Sequence, residues 1–209
     1  MVNYHTFPNI GYLEVDLTDD ELSPIKKEIE TIQNDFSKGI KHNSNLAGNL
    51  EQEYQLVEST IHLNRVVFTY LREYDRITEF TQRLVMLTDD CPMVIDRPWV
   101  NFQKKHEFNP PHHHSGIASF VIWIKIPYDI KDEINTPLSK NSINPTAGHF
   151  SFHYTNALGE LNHYQIPADK SMEGKMLVFP AGLTHSVYPF YTSDDYRISV
   201  SGNIKYLTR

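Results

Sequence analysis

The first repeated apolar pattern in the chain has steps of three and four residues, which predicts a helix with one buried face. Its members are Leu22, Ile25, Ile29, Ile32 and Phe36. Ser23 and Pro24 suit the N-cap and the first helical position, because proline lacks only a donor that has no partner there. The helix is expected to end near Gly39, and a short strand is expected before it, within residues 1–17.

A second helix is predicted from Ser59 to Thr78, because the apolar residues of that segment again share one helical face. A polar loop, residues 41–49, separates the two helices, and a short apolar patch at Leu84–Leu87 follows the second one. The first part of the chain is therefore expected to be helical.

After Pro98 the pattern changes to short segments rich in valine, isoleucine, phenylalanine and tyrosine, bounded by glycine, proline, asparagine and aspartate, which is typical of β-strands. The predicted strands are Trp99–Gln103, Ile117–Pro127, Gly148–Thr155, Leu161–Pro167, Lys175–Phe179, His185–Phe190 and Tyr196–Tyr206. No helical pattern separates them, so an antiparallel sandwich or barrel is expected. Residues 131–147 are predicted to form a long polar loop.

The predicted fold is therefore mostly β with N-terminal helices. Residues 1–96 are expected to form a strand and helical support region, and residues 97–209 the β core, within one integrated domain.

Composition and charge exclude several classes of protein. The absence of an apolar run of about 18 residues and of a signal-peptide pattern predicts a cytoplasmic protein with no membrane partner. The single cysteine, Cys91, excludes an internal disulfide and a cysteine-based zinc site. The net charge of −7 divides into −8 for residues 1–95 and +1 for residues 96–209. No nucleic-acid partner is expected, because counterion release from phosphates requires clustered lysine and arginine.

Eight of the eleven histidines lie between His106 and His185. In an extended chain His112 and His114 point to one side and His113 to the other, so the first and third can bind one metal ion. The best third ligand is His185, which follows a tight turn at the start of a predicted strand. The alternative is a set of solvent-exposed histidines in a turn.

A positively charged residue is expected near this cluster. His185–Pro189 and Tyr196–Ser201 flank a polar turn and are predicted to form a hairpin, which places Arg197 opposite Pro189. A guanidinium binds a carboxylate through two hydrogen bonds, and Ser199, on the same face of the strand, could add another. The metal candidate and this arginine would then leave room for one small dianion. The alternative is a surface arginine paired with a neighbouring aspartate.

Four stretches of this sequence resemble the iron(II)- and 2-oxoglutarate-dependent dioxygenases. They are Trp99–Gln103, Asn109–Gly116, Gly174–His185 and Tyr196–Ser199. The resemblance is strongest to the group found in marine bacteria and their phages, which overlaps the prolyl-hydroxylase-like branch. It covers roughly residues 97–206, and its most specific part is the histidine followed by Arg-x-Ser.

The resemblance implies a double-stranded β-helix (a jelly-roll, as in cupins) with a metal site. Iron(II) would be bound by His112, His114 and His185, and 2-oxoglutarate would chelate it with its distal carboxylate on Arg197 and Ser199. If the strand face of Asn101 points inward, Asn101 would also contact the cosubstrate; the alternative is an outward polar face. The implied reaction uses O2 to hydroxylate a peptide or a small molecule.

One residue departs from the family pattern. His114 stands where these enzymes have an aspartate or glutamate, and no His-x-Asp or His-x-Glu occurs in residues 97–209. A neutral imidazole leaves the site one unit more positive, and it suits zinc, copper or nickel as well as iron(II). Two other functions therefore stay open: a three-histidine cupin-type dioxygenase without 2-oxoglutarate, and a non-catalytic metal-binding jelly-roll.

Overall fold

The structure of the protein is a computed structural model that describes residues 2–3, 9–81 and 92–207. The apolar patch at Leu84–Leu87 and the single cysteine, Cys91, lie outside these ranges. Among the described residues, no helix combines the length and the apolar character needed to cross a bilayer.

The first helix, α1, begins five residues earlier than the pattern of Ser23 and Pro24 predicts. It spans Asp19–Asn34, and Thr18 is its N-cap. The Thr18 hydroxyl accepts a hydrogen bond from the backbone of Glu21, whose carboxylate accepts one from the Thr18 backbone, so two end donors are satisfied together. Pro24 therefore lies in the second turn. The second helix, α2, spans Thr60–Thr78, one residue shorter than predicted, and Ser59 is its N-cap.

A buried carboxylate joins the two helices. Glu28 of α1 accepts hydrogen bonds from the backbone N–H groups of Val57, Glu58 and Ser59 at 2.7–3.0 Å, and from the Ser59 hydroxyl at 2.6 Å. These donors belong to the turn that starts α2, where backbone N–H groups have no partner within the helix. Glu28 therefore fixes the start of α2 against α1.

Eleven strands in the described part of the chain form two antiparallel sheets. The strands are β1 Leu13–Asp16, β2 Ile40–Lys41, β3 Gln52–Gln55, β4 Met93–Gln103, β5 Asn109–His112, β6 Ala118–Lys125, β7 His149–Thr155, β8 Leu161–Pro167, β9 Lys175–Pro180, β10 His185–Val187 and β11 Arg197–Tyr206. The larger sheet has the order β1-β9-β6-β11-β4-β3-β2, and the smaller one β5-β10-β7-β8. Aromatic side chains of both sheets, such as Trp123 and Phe150, meet in one core, which confirms the predicted jelly-roll fold.

Three details differ from the strand and loop predictions. The strands β2, β3 and β5 are not among the predicted strands, and β4 begins at Met93 rather than Trp99. The segment 131–147, predicted as a loop, overlaps a short helix, α3, at Ile130–Ile134.

The predicted hairpin between the last two strands is wrong. The strand β10 lies in the smaller sheet between β5 and β7, whereas β11 lies in the larger sheet between β6 and β4. Arg197 consequently faces Gln103 of β4 in the register, not Pro189. Proline cannot donate to a strand ladder, so β10 ends before Pro189 and the chain crosses to the other sheet.

The two faces of β4 have different partners. Val100 and Phe102 belong to the core under the helices, together with Leu63 and Leu71 of α2. The alternate residues, including Asn101 and Gln103, face the space between the sheets and are also buried. Buried polar groups on the inner face of a jelly-roll need partners there, so this face is where a ligand site is expected.

Candidate metal centre

Three histidines converge between the sheets. His112 ends β5, His114 follows two residues later, and His185 starts β10 directly opposite His112 in the register. The ring centroids are 4.4 Å apart for His112 and His185, 5.0 Å for His112 and His114, and 5.1 Å for His114 and His185. One ring nitrogen of each lies within 4.8 Å of the others. His113 is exposed and does not join this group, which we call the histidine cluster.

Backbone carbonyls orient two of the three rings. Nδ1 of His112 is 2.7 Å from the carbonyl oxygen of Pro110, and Nδ1 of His185 is 2.9 Å from that of Leu183. Since a carbonyl only accepts, each Nδ1 carries the proton and each Nε2 keeps its lone pair. This arrangement, with the second ring nitrogen held by a carbonyl, is typical of histidines that bind a metal.

The cluster is held in the neutral form. Burial lowers the pKa of His112, lowers that of His114 to about 4 and lowers that of His185 to about 3. The neighbouring imidazoles lower the last two further, because a second positive charge in this space is unfavourable. Three neutral imidazoles are a donor set that fits iron(II), and also zinc, copper or nickel.

A narrow interior cavity of about 50 Å³ borders the histidine cluster on its inner side. Amide and hydroxyl groups of the larger sheet line the opposite wall. The Asn101 side chain donates to the Ser199 hydroxyl at 3.2 Å and accepts from the Trp99 indole at 3.1 Å. Asn101 therefore points inward, and the alternative of an outward polar face is wrong.

Arg197 lies behind this wall, 2 % exposed, and all five of its N–H groups have protein acceptors. Gln103 Oε1 accepts from both Nε and Nη2, at 3.1 and 2.7 Å. The Tyr128 hydroxyl and the backbone carbonyls of Gly148 and Tyr188 accept the others. The alternative of a surface arginine paired with an aspartate is therefore wrong. The Gln103 oxygen occupies the fork of the guanidinium, which is where a carboxylate binds.

The outer side of the histidine cluster borders an open pocket of about 430 Å³. His112, His114 and Trp99 line both this pocket and the interior cavity. The cluster therefore separates a small enclosed space from a larger one that is open to solvent.

Some residues that line the open pocket or support the segment leading to β11 have no strong signal in the sequence. Arg97 and Lys205 line the open pocket, and Glu133 accepts hydrogen bonds from the backbones of Tyr191 and Thr192 at 2.7 and 2.9 Å, in the segment that leads to β11. The one available signal for Arg97 is that Pro98 follows it, because a residue before proline has a restricted backbone. The buried role of Glu133 depends on contacts 58 residues away in the chain, which no local pattern indicates.

The fold and the histidine cluster together define a jelly-roll protein with a candidate mononuclear metal centre. A family model described as "Putative 2OG-Fe(II) oxygenase" matches residues 97–203, just over half of the chain. The chain belongs to this family, whose members are oxidoreductases that depend on 2-oxoglutarate and iron(II).

Solved structures share the fold. A prolyl-4-hydroxylase from Pseudomonas putida superposes with a TM-score of 0.55 at 14% identity, over 95% of this chain and 94% of that one. The protein OsALKBH1 superposes with a TM-score of 0.50 at 9% identity, over 95% of this chain and 100% of that one. A search of curated proteins found no match.

Proposed function

We propose that this oxygenase hydroxylates a small molecule or a peptide at an iron(II) ion held by His112, His114 and His185, with 2-oxoglutarate as cosubstrate. The observation that carries the proposal is the convergence of three neutral imidazoles at the junction of an enclosed polar cavity and an open pocket. Iron(II) and 2-oxoglutarate, when bound, would supply the oxidising chemistry, in which O2 provides one oxygen atom to succinate and one to the substrate while CO2 is released.

The chain's own residues would hold the metal through the Nε2 atoms of His112 and His185, whose Nδ1 protons are fixed on backbone carbonyls. His114 would supply the third nitrogen. Because its imidazole is neutral, the protein adds no negative charge to the ion, and the charge of the cosubstrate becomes the main anionic contribution at the centre.

The polar wall would bind the cosubstrate. Ser199 Oγ already accepts from Asn101, so its own proton is left to donate to a carboxylate. Arg197, which lies behind this wall, would bring a permanent positive charge close to it. For a carboxylate to enter the guanidinium fork, Gln103 must give up its two hydrogen bonds, and we infer that this exchange accompanies cosubstrate binding.

Aromatic residues would keep water from the reacting centre. The rings of Phe179, Phe150 and Phe152 lie 5.0, 5.6 and 6.5 Å from the ring of His185. Trp99 lies 6.0 Å from His114 on the other side. An apolar enclosure of this kind strengthens the electrostatic interactions inside it and limits side reactions with water.

A second candidate is a three-histidine dioxygenase that does not use 2-oxoglutarate. Two observations favour it: the third residue of the cluster is a histidine rather than a carboxylate, and the five donors of Arg197 are engaged by the protein. Under this alternative Arg197 would serve only to join β4, β11 and the segment that contains Tyr188.

Succinate release separates the candidates. The chain is loaded anaerobically with iron(II), mixed with 2-oxoglutarate and O2, and succinate is measured alongside metal binding by Co(II) titration. Wild type and His62→Ala should release succinate, since His62 lies on α2, away from the cluster. His114→Ala should bind Co(II) at least tenfold more weakly and release less succinate.

Two results would contradict the proposal. Metal-loaded wild type that forms no succinate above a protein-free control would exclude 2-oxoglutarate as cosubstrate and favour the alternative function. Unchanged Co(II) affinity in His114→Ala would show that the ligand set is wrong.

A further inference from the structure

The open pocket is the side of the histidine cluster that faces solvent. It is lined by the His112–Ser115 segment, by Trp99, and by charged residues from the first half of β4 and the end of β11. Its volume of about 430 Å³ lies within the range of sites that bind small molecules. A molecule that fills it contacts His112 and His114 directly, so under the proposed function it is where the oxidised substrate would lie.

The pocket has more positively than negatively charged side chains. Lys205 Nζ lies 2.6 Å from one oxygen of Asp96, and Arg97 Nε lies 3.7 Å from the other. The first distance is a hydrogen bond and the second is too long for one. Asp96 is thus shared by two cations, and the three groups together carry one net positive charge in a chain of net charge −7.

Arg97 is held in an unfavourable backbone conformation. Its φ is +44°, in the left-handed region, and the residue after it is Pro98, which makes a helical backbone at Arg97 still less favourable. Asp96 pairs with Asn203 and Trp99 with Ser201, so Arg97 and Pro98 together form a bulge in β4. A bulge redirects a side chain, and strained residues of this kind cluster where a ligand is bound.

The bulge directs the Arg97 side chain into the open pocket. The side chain is 62% exposed, and no hydrogen bond joins its guanidinium to another described residue. It therefore differs from Arg197, whose donors are all engaged. The strained backbone therefore orients, beside a candidate metal centre, a guanidinium that makes no hydrogen bond to a described residue and only a long ion pair with Asp96.

We propose that the open pocket binds a small organic anion as the substrate, and that Arg97 is the specificity-determining residue that holds its carboxylate or phosphate group. Lys205 adds long-range attraction, and Asp96 holds Lys205 beside the bulge. Trp99 provides an apolar wall between this anion subsite and His114 for the body of the molecule. The inference rests on the proposed function in one respect, which is that the substrate is oxidised at the histidine cluster.

Binding of matched probes tests this proposal without knowledge of the substrate. Phenyl phosphate, benzoate and neutral benzamide are titrated calorimetrically into the full chain, loaded with redox-inert Mn(II) and saturated with 2-oxoglutarate so that the interior cavity is filled. At least one of the two anions should bind at least tenfold more tightly than benzamide, and its affinity should fall as salt is raised. The stronger of the two anions identifies the group that the pocket prefers.

Variants assign the binding to Arg97. Arg97→Gln should weaken the anion at least tenfold, whereas Arg97→Lys should keep the affinity within about threefold because the charge is retained. Lys205→Gln should have a smaller effect than Arg97→Gln, since its ammonium is already paired with Asp96. Arg72→Gln, an exposed arginine of α2, is the matched control and should leave the affinity unchanged.

Equal binding of benzamide and the anions, or unchanged anion affinity in Arg97→Gln, would overturn the proposal. A failure of the proposed function is recognised separately. If wild type releases no succinate while the metal-free chain still binds the anions through Arg97, the anion subsite stands and only the assigned chemistry is wrong.

Discussion

Gln103→Ala should increase the affinity for 2-oxoglutarate while it lowers stability. Gln103 Oε1 accepts two hydrogen bonds from the buried guanidinium of Arg197, and a carboxylate that enters the same fork must displace it. A hydrogen bond to a charged group contributes about 1.5–3 kcal/mol. The two bonds share one acceptor, so we expect their joint loss to cost about 2 kcal/mol. Since 1.4 kcal/mol corresponds to tenfold in affinity, removal of this competition should tighten binding roughly thirtyfold.

Calorimetric titration of the Mn(II)-loaded chain with 2-oxoglutarate measures this change in affinity. Gln103→Glu is the opposite variant, since a carboxylate in the fork competes more strongly, and it should weaken binding at least tenfold. Gln165→Ala on β8 serves as the control. If Gln103→Ala weakens binding, Gln103 itself contacts the cosubstrate. If neither variant changes the affinity, Arg197 is not the anchor.

Three further predictions concern pH and stability. Co(II) affinity should be lost at a lower pH than it would be for exposed histidines, because burial lowers the pKa of His112 and lowers the pKa values of His114 and His185 to about 4 and 3; titrations between pH 4 and 7.5 measure this. Glu28→Ala should lower the free energy of unfolding by roughly 3 kcal/mol in urea, because several buried donors lose a charged acceptor. Burial raises the pKa of Glu53 from 4.5 to about 8, so the folded state holds a proton that the unfolded state releases. Stability should therefore fall between pH 4.5 and 8, and Glu53→Gln should flatten this dependence in urea midpoints measured at pH 5 and 9.

Most of the fold could be predicted because its elements carry strong local patterns. The apolar period of α2 and the β-branched and aromatic runs of β6 and β9 mark these elements without tertiary information. The strand β3, with the sequence Gln-Glu-Tyr-Gln, has no such pattern and exists because it pairs with the exposed edge of β4. The start of α1 was mistaken because the Thr18–Glu21 capping box competes with the more obvious Ser-Pro pair.

In the candidate site, too, the local features could be predicted from the sequence and the features that depend on strand pairing could not. His112 and His114 could be placed on one side of the chain because their spacing is local, and the turn before His185 indicated a strand end. The surroundings of Arg197 could not be predicted, because they depend on which sheet each of the last two strands joins. The bulge at Arg97 likewise arises from the pairing of β4 with β11, which is known only from the register.

The identity of residue 114 sets the net charge of the proposed metal centre, and this charge acts on any anion in the open pocket. A divalent ion bound by three neutral imidazoles keeps its full charge of +2, and a 2-oxoglutarate dianion would neutralise it, whereas a carboxylate ligand would leave the loaded centre at −1. An anionic substrate approaching within a few ångströms of such a negative centre would be repelled, because low-dielectric surroundings screen charges poorly. With histidine at position 114 that repulsion is absent, and Arg97 with Lys205 supplies the attraction. His114→Asp should therefore keep metal binding but weaken the probe anions without altering benzamide, a pattern that loss of packing alone would not produce.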